Sequence, residues 1–74
     1  MNVASFQQFA VDRQIREMVM AAWKGGGVLR LSVVTKQVRT RRPGVVVHHS
    51  YVLDRLVKTA AKKSVAIEVD IPLG

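Results

Sequence analysis

Cations and imidazoles concentrate in Lys36 to Ser50, KQVRTRRPGVVVHHS, where four cations precede Pro43-Gly44 and two adjacent histidines follow. Arginine's planar fork matches phosphate oxygens and the O6/N7 edge of guanine, so this segment suits contact with a polyanion. Histidine pairs can also ligate metals or move protons. His48 and His49, however, point to opposite sides of a strand or about 100° apart on a helix. The chain has no cysteine, and no carboxylate cluster lies close in sequence to complete a metal site. One histidine therefore reads as packed and the other as a partly exposed donor at a helix entrance. Catalysis is no better supplied: the five carboxylates are scattered, and neither Ser32 nor Ser50 sits in a nucleophile motif. Gly25-Gly26-Gly27 follows a helical pattern and lacks the lysine and hydroxyl of a phosphate-binding loop, so it reads as a chain break. These residues predict a binding protein with no enzymatic activity, metal or cofactor.

The charge layout supports that expectation. Between Lys24 and Lys63 lie ten Lys or Arg and one acid, Asp54, a local excess of nine positive charges; the other four acids lie towards the two ends. A folded domain with such a field attracts nucleic acid and releases its condensed counterions on binding. The alternative use of the charge is solubility alone. With 49% hydrophobic residues, the chain has the apolar content to fold rather than to act as a basic tail. Its 74 residues make a single domain, 1–74, and bury only about 60% of the unfolded surface at this size. Stability is expected to be marginal and self-association, as a homodimer, a natural supplement. The longest apolar run, Met18 to Trp23, is too short to span a bilayer, and the N-terminus lacks the order of a signal peptide. A cytoplasmic, nucleoid-associated protein without membrane contact is the expectation.

Several elements can be read from periodicity. Val11, Ile15, Met18, Val19 and Ala22 recur at helical spacing, ending at the glycines, with Ser5 or Asp12 as the N-cap and Phe6 and Phe9 continuing the apolar face. Trp23 reads as a core anchor at the helix end rather than a stacking platform, since no second exposed aromatic accompanies it. Ser50 to Lys63 forms a second helix capped by Ser50, with Val52, Leu53, Leu56, Val57, Ala60 and Ala61 as its apolar stripe. Its opposite face carries Arg55, Lys58, Thr59 and Lys62. Val65 to Ile71 alternates as a strand closed by Pro72.

Val28 to Val38 admits two readings. As one long strand paired through a basic turn with Val45 to His49, it gives an α-β-β-α-β order and an RNA-binding hairpin tipped by Arg39, Arg41 and Arg42. As a short strand, Gly27 to Leu31, followed by a helix capped at Ser32, it gives α-β-α-α-β. Val34, Thr35 and Val38 then face the core, Lys36, Arg39 and Arg42 face out, and Pro43 ends the helix. The second order is preferred because a strand of eleven residues is well above the usual length. It predicts an α+β, mainly helical fold: three helices with a small two-stranded antiparallel sheet.

In this order the chain resembles a winged helix-turn-helix domain with a truncated wing, over nearly its full length. The resemblance implies a DNA-binding function, as a transcriptional regulator or a phage or mobile-element accessory factor. It places His49, Ser50, Tyr51, Asp54, Arg55 and Lys58 of the last helix at or near base edges, with Lys62 on the same basic face. Lys36, Arg39, Arg41 and Arg42 would neutralise phosphates. The connection from Arg42 to Ser50 exceeds the usual helix-turn-helix turn, and the chain ends at Gly74 before a second wing strand. A different class, a small inhibitor or adaptor that binds an acidic protein surface, remains the alternative.

Overall fold

The structure, a computed structural model, describes residues 3–44 and 47–72, with side chains of the first helix described from Gln8 onward. Its elements are α1 (Val3–Gly25), β1 (Leu29–Arg30), α2 (Leu31–Arg41), α3 (His49–Lys63) and β2 (Ile67–Glu68). The α-β-α-α-β order is thus the one formed. Val28 to Val38 does not make a long strand, because Val34, Thr35 and Val38 share one face at helical spacing and are buried together with Leu31. The hairpin reading fails on this helix.

Each helix contributes a narrow stripe to one core. Val11, Ile15 and Val19 of α1 meet Leu31, Val34 and Val38 of α2 and Val52, Leu56 and Ala60 of α3, and Val47 covers the connection. Burial of each large aliphatic side chain contributes about 1.5–3 kcal/mol. The stripes are narrower than periodicity suggests. Phe9, Val57 and Trp23 are substantially exposed, Trp23 at 51%. Trp23 is therefore not a core anchor: Lys63 Nζ lies over its ring, 4.9 Å from the centroid, at the outer end of α1 and α3. The side chain of Phe6 lies outside the described residues. Ser5 and Asp12 both fall inside α1, so neither caps it.

Two helix ends close by the same geometry. Gly26 adopts φ +69°, and the Gly27 N–H donates to the Ala22 carbonyl at 3.0 Å, so the triple glycine ends α1 as its composition predicts. Ser64 occupies the corresponding position after α3, with φ 55° and ψ 36°, and the Val65 N–H donates to the Ala60 carbonyl at 3.0 Å. A side chain in the left-handed region is strained. Ser64→Gly is therefore expected to raise stability by about 0.5–1 kcal/mol, less than the full relief of strain because glycine gains entropy when unfolded. A rise in the urea midpoint with unchanged slope would show it; a fall would refute the assignment of strain.

The two short strands pair in parallel, Leu29 with Ile67 and Arg30 with Glu68, which corrects the expected antiparallel sheet. The reason is topological. β1 runs directly into α2, and the α2–α3 pair forms a crossover long enough to return the chain to the same end of the sheet. Extending that register by two residues brings Asp70 beside Ser32. Asp70 Oδ1 accepts the Ser32 N–H at 2.8 Å, and the Ser32 hydroxyl donates to Asp70 Oδ2. Ser32 is thus not the N-cap of α2. Arg30 holds that position without a side-chain bond, and a carboxylate from 38 residues away satisfies the helix's free donor instead. The alternating face beyond β2 is correspondingly interrupted: Val65, Ile67 and Ile71 pack on the core while Val69 is exposed.

Ser32's two hydrogen bonds hold the Asp70 carboxyl below the ordinary aspartate range. A folded-state pKa below the unfolded one contributes stability that is present above the unfolded pKa and lost as pH falls through the folded one. Asp70→Ala is expected to lower the melting temperature at neutral pH. That deficit should shrink on acidification below the usual aspartate range. An equal deficit at neutral and strongly acid pH would show that the carboxylate does not cap α2.

Candidate nucleic-acid interface

The residues expected to meet DNA divide according to what compensates their charge. On α3, Lys58 Nζ pairs with Asp54 Oδ2 at 3.2 Å across one helical turn. Arg55 Nε lies 3.6 Å from Asp12 Oδ1 of α1, and its guanidinium lies over the Tyr51 ring at 5.4 Å. The Tyr51 hydroxyl donates to the same carboxylate oxygen at 3.1 Å. Partial burial pushes the phenol pKa up, with Arg55 opposing, so Tyr51 stays a neutral donor at neutral pH. The Tyr51 hydrogen bond and Asp12 raise the Arg55 pKa. Arg55 and Tyr51 are therefore tied to α1, joining α3 to it, rather than standing clear for bases.

α3's first turn is built differently from the sequence expectation. His48, not Ser50, is the N-cap; its carbonyl accepts the N–H of Val52 at 3.2 Å, and no side chain caps the helix. His49 opens the helix half-buried, while Ser50 is exposed. Ser50, Asp54, Val57 and Lys58 form the outward face of the first turns, where Asp54 offsets Lys58, and the exposed Lys62 continues that face one turn further on.

The cations of α2 and the turn after it have mostly neutral partners. Arg39 donates through Nε and Nη2 to the Val47 carbonyl at 3.3 and 3.0 Å, and Arg42 Nη2 donates to the Ala10 carbonyl at 3.5 Å. A carbonyl orients a guanidinium without cancelling its charge, and each arginine keeps further N–H donors for another acceptor. Lys36 is exposed and has no acidic partner among the described residues. Arg41 has a loose one, Glu17 Oε2 at 4.0 Å. Beside α2, an open concavity of about 320 Å³ runs past Ser32, Thr35, Lys36, Arg39, Thr40 and Ile71. Lys36 and Thr40 also line a second concavity on the adjoining flank of α2, with Gln37, Arg41 and Gln14. Lys62 lies exposed near the far end of α3, well along the helix from this surface.

Asp12, Arg13, Gln14 and Glu17 of α1 carry this arrangement, and the sequence marks none of them as a site residue, Asp12 reading only as a helix cap. Arg13 and Glu17 are readable as an i,i+4 pair, and they form one at 3.4 Å. Nothing local signals that Asp12 meets Arg55. Among the described residues no cluster of three or more His, Cys, Asp or Glu could hold a metal, and no helix is long and apolar enough to cross a membrane. The chain matches no protein-family model, no curated protein and no solved structure.

Proposed function

We propose that this chain is a small duplex-DNA-binding protein whose phosphate contacts come from α2 and the arginine turn, with the first turns of α3 alongside. The supporting observation is the asymmetry of charge compensation. In the first turns of α3 Asp54 offsets Lys58 and Asp12 offsets Arg55, whereas Lys36, Arg39 and Arg42 have no acidic partner among the described residues, the two arginines being oriented by carbonyls. Cations held in place by neutral groups lose little conformational freedom on meeting a phosphate, and their charge is available to displace counterions.

On this reading Lys36, Arg39, Arg41 and Arg42 position the duplex, and His49 and Ser50 at the start of α3 are the side chains best placed to approach bases. Arg55 would have to leave Asp12 and Tyr51 to do so. A transcriptional or mobile-element role fits such a module. Fluorescence anisotropy with a labelled duplex at low salt is the direct test. Saturable binding supports the reading; absence of binding there would discard it in favour of a protein partner.

A further inference from the structure

The α1–α2 cleft carries features that structural packing leaves unused. Ala10, Arg13, Gln14 and Glu17 of α1 face Arg41 and Arg42 across a polar concavity of about 220 Å³. That is several times the roughly 30 Å³ a water molecule takes up in the liquid. Gln14 is only 5% exposed, yet its carbonyl oxygen accepts no hydrogen bond, and the buried Nε of Arg42 has no hydrogen-bond partner either. Buried polar groups of this kind ordinarily find partners, and two at one cleft are unusual. Two guanidinium groups meet one carboxylate there, and that of Arg42 lines the same concavity. Glu17 lies 3.4 Å from Arg13 and 4.0 Å from Arg41, and all three side chains are more than half exposed.

We infer that this cleft is a phosphodiester site and that Glu17 is its internal competitor, a carboxylate that occupies Arg13 and Arg41 until a backbone phosphate takes its place. The inference rests on the DNA-binding reading and assigns one of its contacts. Both ion pairs are long and solvent-exposed, so exchanging them for a phosphate costs little. A phosphodiester carries one negative charge on two non-bridging oxygens, as a carboxylate does, and can engage the guanidinium forks bidentately in its place. It would also supply the acceptor that Arg42 Nε lacks. Rotating the Gln14 amide by half a turn presents its NH2 group in place of the unpaired carbonyl. Glu17 thus lowers affinity for every sequence and holds Arg13 and Arg41 near each other in the free protein.

The test measures duplex binding as a function of salt for the wild-type chain, Glu17→Gln and Glu68→Gln. The last removes the same charge from the Arg30 pair on the sheet, away from the cleft. Glu17→Gln is expected to raise affinity about five- to tenfold with the salt slope nearly unchanged, because the phosphate displaces the carboxylate in the wild-type complex as well. Glu68→Gln should change affinity less than about twofold. Adding Arg41→Gln to Glu17→Gln should abolish the gain. If the two carboxylate variants gain equally, the effect is net charge alone and the competitor role is overturned while DNA binding stands. If the wild-type chain binds no duplex at low salt, the DNA-binding reading itself falls, and this inference with it.

Discussion

Affinity for duplex DNA is expected to fall about 250- to 1000-fold as monovalent salt rises from about 50 to 200 mM, whatever the duplex sequence. The magnitude follows from a count. Lys36, Arg39, Arg41 and Arg42 supply four phosphate contacts, and up to two more from α1 or α3 bring the slope of log K against log salt to roughly −4 to −5. Over a fourfold rise in salt that slope multiplies out to the stated loss. Arg39 and Arg42 count in full because their hydrogen bonds are to the carbonyls of Val47 and Ala10, which leave the positive charge intact. Arg55 and Lys58 count for less, since each already has a carboxylate nearby. A slope near zero, with binding retained, would mean that apolar contacts carry the interaction. The exposed Val33 and Val57 would then become the residues to examine.

That count draws on knowledge of two kinds. Local patterns are readable in the sequence: the glycine stop after α1, the i,i+3 and i,i+4 core stripes, and the α2 helix within VLRLSVVTKQV, a run longer than the usual strand. The excess of cations between Lys24 and Lys63 was equally plain. Long-range partners were not readable. Asp70 caps α2 only because the strands run parallel, and periodicity fixes neither strand direction nor register between segments so far apart. Arg39 and Arg42 read as free cations, yet each is oriented by a carbonyl whose position the fold decides. Trp23 failed for a related reason: its helical phase places it at the edge of the apolar stripe, where a lysine from α3 covers one face and water meets the other. The distinction between a charge that is compensated and one that is merely held therefore required tertiary structure.

The second large effect tests that distinction with net charge held equal. Lys36→Ala combined with Arg41→Ala removes two cations from the proposed surface, and Lys24→Ala combined with Lys63→Ala removes two from the Trp23 end of the molecule, where Lys63 sits over the indole. Both variants have lost the same charge, so the long-range field weakens similarly. Only the first loses phosphate contacts on this reading. It is expected to weaken binding about 10- to 100-fold on all duplexes alike and to flatten the salt slope by about 1.8, two contacts at 0.9 each. The Lys24/Lys63 variant should lose no more than about threefold, with its slope nearly unchanged. Folding is not at risk in the first, because Lys36 and Arg41 are exposed and Arg41's one described ion pair is loose, at 4.0 Å. Melting curves for both variants provide the control, with the loss of the Lys63–Trp23 contact costing the second about 0.5–1 kcal/mol. Equal losses in the two variants would mean that the chain binds as a diffuse cation, with no face of its own. A larger loss at the Trp23 end would move the DNA to the opposite pole of the helices, with Trp23 rather than α2 against it.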